Sequence, residues 1–154
     1  MGRDKAVVAT ILSFLLASCS SPWGELEARY RAKAAASSSV EAGKTIGLLA
    51  TGYRGVFTYN GIVSQSFGDT GVYLAIPSKS PVSIPASAVA ACSRTQWSPG
   101  WDTNLWVAAA RVDISFPDND GQVLAWCNAR KIVVVERQAI YKWLYPGDGS
   151  WGTR

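Results

Sequence analysis

The chain has 154 residues, 15 basic and 11 acidic side chains, no histidine, three cysteines and seven tryptophans. A formal net charge of +4, scattered without a basic stripe, argues against a nucleic-acid surface. The missing imidazole removes the commonest general base and the commonest metal ligand. The length suits one domain with a core of its own.

Arg3 and Lys5 open the chain, and residues 6–18 form an uncharged, mostly apolar run ending in small side chains. A basic start, a short apolar stretch and a small-residue exit are the layout of a secretory signal. Thirteen helical residues rise only about 20 Å, too little for a bilayer core of about 30 Å. Residues 1–18 are therefore expected to be a cleaved signal peptide. Leu16-Ala17-Ser18-Cys19 resembles the lipobox of bacterial lipoproteins. The resemblance implies that Cys19 is acylated and becomes the mature N-terminus. Ser20, in place of an aspartate after that cysteine, implies an outer-membrane protein facing the periplasm, with the inner membrane as the alternative.

Residues 19–44 are expected to be a lipid-anchored, partly helical, solvent-exposed tether. Glu25 and Arg29, and Glu27 and Arg31, are spaced i,i+4, but the apolar face is thin, mainly Leu26 and Tyr30. The globular domain is expected over 45–146, with a flexible tail at 147–154. Strands are predicted at 45–51, 53–59, 62–67 and 72–76, with Asn60-Gly61 as a hairpin turn because both residues tolerate positive φ. Pro77 and Pro81 punctuate a loop before Val82-Ser83-Ile84-Pro85. Residues 86–92 fit a short helix or an edge strand, the helix being preferred, and 97–101 form a loop. Residues 105–109 and 111–116 predict two further strands, the second alternating Val112, Ile114 and Phe116 with Arg111, Asp113 and Ser115. Asp118 and Asp120 are N-cap candidates for a helix over 121–130. A buried strand at 132–135 and a helix at 136–144 complete the pattern. The fold class is α+β: an antiparallel meander or partly closed barrel of five to six strands, then helix, strand and helix. Residues 71–76 and 82–89 loosely resemble bacterial pleckstrin-homology-like domains over 53–130. That resemblance implies a curved antiparallel sheet closed at one end by a helix, and it carries over no site residues.

Cys92 and Cys127 remain as an even pair in an exported chain, most simply a disulfide closing about 36 residues. A redox pair is the alternative, without the C-x-x-C that usually marks one. Asp118-Asn119-Asp120-Gly121 resembles the middle of a calcium loop, but Phe116 and Cys127 occupy positions that would need oxygen ligands. No metal or cofactor is expected. Asp69, Asp102, Asp113 and Glu136 are scattered carboxylates. Ser78-Lys79-Ser80 lacks the spacing of a serine–lysine catalytic pair, so no catalytic residue is assigned. Trp97 and Trp101 flank a predicted loop and are the candidate binding surface, since exposed tryptophan favours interfaces and sugar faces. The expected function is a non-catalytic, lipid-anchored envelope protein that binds a protein or envelope glycan such as peptidoglycan. An inhibitor or immunity protein against a periplasmic toxin or lysozyme is one alternative. A carboxylate-dependent, peptidoglycan-directed enzyme is the other.

Overall fold

A computed structural model describes residues 21–33, 40–53, 55–97 and 99–147. The signal peptide, Cys19 and all but the first residue of the expected tail lie outside the described residues. The elements in chain order are α1 (Pro22–Tyr30), β1 (Glu41–Ala50), β2 (Phe57–Phe67), β3 (Gly71–Ala75) and β4 (Val82–Pro85). A single 3-10 turn (Ala86–Ala88) precedes β5 (Ala91–Trp97), β6 (Gly100–Val107), β7 (Val112–Pro117), α2 (Gln122–Ala129) and α3 (Arg137–Leu144). The α+β class holds, with seven strands rather than five or six.

The strands form one curled, fully antiparallel half-barrel in the order β4-β3-β2-β1-β7-β6-β5. Successive side chains alternate between its two faces. Ile46, Leu48, Val63, Val72, Leu74, Ile84, Leu105, Ile114 and Phe116 fill the inner face together with Trp23 and Leu26 of α1 and Val123 and Trp126 of α2. A smaller apolar cluster of Ala91, Trp106, Ile140 and Leu144 joins α3 to the outer face. The pairing register puts turns 51–56, 76–81 and 108–111 at one end of the strands. Turn 68–70, the β5–β6 turn and α2 lie at the other.

Several expectations are corrected. The stretch read as a solvent-exposed tether contains α1, whose Trp23 and Leu26 are 1% and 0% exposed. The Ser21 hydroxyl caps the helix by accepting from Gly24 N–H, and Pro22 at its first turn has no N–H to leave unpaired. Trp23 also donates its indole N–H to the Ser80 carbonyl at 3.3 Å. Asn60-Gly61 is not a hairpin. β2 runs straight through it, and the register passes from Lys44↔Val63 to Ile46↔Tyr59, leaving extra β2 residues as a bulge. Gly61 takes φ +67° there and its N–H donates to Thr45 Oγ1. The reversal occurs instead at 51–56, where Gly52 and Gly55 adopt φ +87° and +93°.

The preferred helix at 86–92 is only the 3-10 turn, after which the chain enters β5. The run 132–135 is not a buried strand. It makes a single parallel bridge, Val134 to Cys92, and Val133 and Val134 are exposed because no described residue pairs beyond that edge. The helices at 122–129 and 137–144 lie close to their predicted bounds.

Candidate functional site

The outer face of the sheet is where the sequence departs from an ordinary solvated strand pattern. Its rows carry Thr45, Gly47 and Leu49 from β1, Asp113 and Ser115 from β7, and Asp102 and Asn104 from β6. All seven line a cleft of about 210 Å³ with Val56, Trp97, Arg137 and Tyr141. Gly47 keeps the wall close. A Cβ there would lie 3.1 Å from Val56 Cγ1.

Helix α3 lies over one part of this face and buries polar groups that the strand pattern alone would leave in water. The Asp113 side chain is fully buried, and its carboxylate faces the Arg137 guanidinium at 2.6 Å. Among the described residues, no group other than Arg137 is placed to donate to the Asp113 carboxylate. Burial therefore outweighs the ion pair and pushes the Asp113 carboxyl up to about 6. Burial lowers the Arg137 pKa, but Asp113 and Tyr141 outweigh that cost and raise it. Arg137 also stacks over the Tyr141 ring, 4.5 Å from its centroid. Farther along the cleft, Ser115 Oγ donates to Asp102 Oδ2 at 2.8 Å, and Asn104 Nδ2 donates to Thr95 Oγ1 at 3.3 Å.

Trp97 and Trp101 do not form one patch. In the β5–β6 hairpin Trp97 pairs with Gly100 and Gln96 pairs with Trp101. Directly paired residues share a face, so the two indoles leave opposite sides of the ribbon. Trp97, 56% exposed, turns toward the outer cleft. Trp101 lies under the Arg94 guanidinium, 4.6 Å from its centroid, while its backbone N–H donates to Asn119 Oδ1. Trp101 is thus part of the join between the hairpin and the turn before α2.

The four candidate carboxylates also separate. Asp69 is exposed and pairs with Arg130, and Glu136 sits at the N-cap of α3 without capping it. Only Asp102 and Asp113 share the cleft. Cys92 and Cys127 form a disulfide with Cα atoms 6.6 Å apart, tying β5 to α2. Asp118 is buried and accepts from Thr103 Oγ1, Val123 N–H and Leu124 N–H, so the calcium-like run serves the first turn of α2, although the N-cap position itself is Gly121 rather than Asp118 or Asp120. A wider groove of about 680 Å³ opens beside it between α2 and the bulged ends of β1 and β2. Its charges are engaged with neighbours: Asp118 at the first turn of α2, and Glu41 with Lys44 at 2.6 Å. Among the described residues, no group of three or more His, Cys, Asp or Glu is placed to hold a metal ion.

Comparison with known protein families, curated proteins and solved structures gives no match. The site therefore has to be interpreted from its own chemistry. Arg137, Tyr141, Asn104 and Ser115 were not singled out from sequence. The available signals were an aspartate between Val112 and Ile114 and an Arg-Tyr pair spaced i,i+4 on the last helix.

Proposed function

We propose that the chain is a lipid-anchored envelope protein, acylated at Cys19, whose domain is a non-catalytic module binding an envelope saccharide in the outer cleft. The observation that carries this reading is Trp97, its indole half-exposed where the cleft is floored by Asp102, Asn104 and Ser115. A flat aromatic surface beside carboxylate, amide and hydroxyl groups suits a sugar ring, which has an apolar face and a hydroxylated edge. At about 210 Å³ the cleft lies below the ~300 Å³ at which ordinary ligand pockets begin, which favours one sugar residue of a longer glycan. Binding is favoured over acid–base catalysis because Asp113 is tied to Arg137 and Asp102 already accepts from Ser115.

The test uses soluble N-acetylglucosamine–N-acetylmuramic acid disaccharide peptides and calorimetry. Trp97→Ala is expected to weaken binding at least about tenfold, roughly 1.4 kcal/mol. Trp101→Ala should leave it unchanged if the fold is retained. Absence of binding by the unaltered protein, or equal loss in both variants, would remove the cleft from the account.

A further inference from the structure

Resting on the proposed acylation of Cys19, we infer that the domain has no free tether and sits directly on the bilayer, with Tyr53, Phe57 and turn 76–81 against the lipid headgroups. Cys19 stands two positions before Ser21, whose hydroxyl caps α1. Two extended residues span at most about 7 Å. The helix that follows is no spacer either, because Trp23 and Leu26 are core residues. A lipid on Cys19 therefore holds the whole domain at the membrane surface.

The start of α1 also fixes which end faces down. Trp23 donates to the Ser80 carbonyl and the Ala32 N–H to the Pro81 carbonyl, so the whole of this short helix lies across the end of the sheet that carries turn 76–81. The same end of the sheet carries Phe57, 37% exposed, with Tyr53 packed edge-on against it. Helix α3 finishes there as well. The Tyr145 hydroxyl donates to the Tyr53 carbonyl at 3.5 Å, and neighbouring Trp143 is 43% exposed. Aromatic side chains with an apolar body and a polar tip concentrate at membrane–water interfaces. Exposed Lys79, Arg111 and Lys142 lie in or beside the same turns and helix end, where they can meet lipid phosphates. The β5–β6 turn with Trp97 lies at the opposite end and projects into the aqueous space.

The mature, acylated protein in vesicles of phosphatidylethanolamine and phosphatidylglycerol provides the test. A fluorophore is placed at Phe57→Cys or at Gln96→Cys, and quenching is measured with headgroup spin-labelled lipid. The label at 57 is expected to be quenched about threefold or more over the label at 96. Lys142→Cys gives a second site at the lipid-facing end if a label at 57 disturbs its turn. Equal quenching at both ends, in protein whose mass confirms acylation, would overturn the docked orientation while leaving the anchor intact. A mass showing Cys19 unmodified would overturn the anchor and the orientation with it.

Discussion

Asp113 sits between two core residues, Val112 and Ile114, yet points to the face where α3 rather than water covers it. Its carboxyl is pushed up to about 6 from an ordinary value of 3.8. The native state thus binds more protons than the unfolded chain between about pH 4 and pH 6. The stability associated with this group is fully present below the lower value and is lost as pH rises through the upper one. Urea unfolding of the unaltered protein should show that decline, and Asp113→Asn should flatten it. At pH 7.5 the Arg137→Ala variant should be the least stable of the three, because it leaves the Asp113 charge buried and unpaired. This ion pair was not legible in the sequence. Alternation along β7 marks Asp113 as facing away from the core, but nothing local reveals that a helix 24 residues later covers that face.

The elements differ in how much of their cause is local. Helix α2 was legible because Asp118 precedes an apolar-periodic run, and the structure adds that its carboxylate holds two backbone N–H groups and the Thr103 hydroxyl. Asp118→Ala should cost about 2–3 kcal/mol in denaturant unfolding, above an exposed cap, because a buried hydroxyl also loses its partner. Helix α1 was legible as a helix but not as part of the core, since Leu26 and Tyr30 alone make a narrow stripe and Trp23 was not counted with them. Leu26→Ala should cost about 2–5 kcal/mol, whereas Arg29→Ala on the exposed side should change stability by less than about 0.5 kcal/mol. A spacer would be indifferent to both. Asn60-Gly61 misled for a different reason. The dipeptide supplies a residue that accepts positive φ, and a bulge uses that property as readily as a tight turn. Which of the two forms depends on Phe57 and Thr58 finding Leu48 and Gly47 as partners, a non-local fact.

For the molecule as a whole, the disulfide spans 35 positions and fastens an outermost strand to the helix at one end of the curl. Its loss in a Cys92→Ala/Cys127→Ala double variant should lower unfolding free energy by about 4 kcal/mol in the chain-entropy account, or less if the reduced chain keeps residual structure. The pairing was legible from the cysteine count together with the expectation of export, whereas the meeting of β5 with α2 required the topology. The two outermost strands share another property. Cys92 exchanges backbone hydrogen bonds with Val133 and Val135, and Pro81 beside β4 accepts from the Ala32 N–H. Each margin of the half-barrel is thus met by a piece of the same chain at the point where a foreign strand would otherwise begin to zip on. Many copies gathered at high local density could then remain separate, each sheet ending within its own molecule instead of continuing into its neighbour.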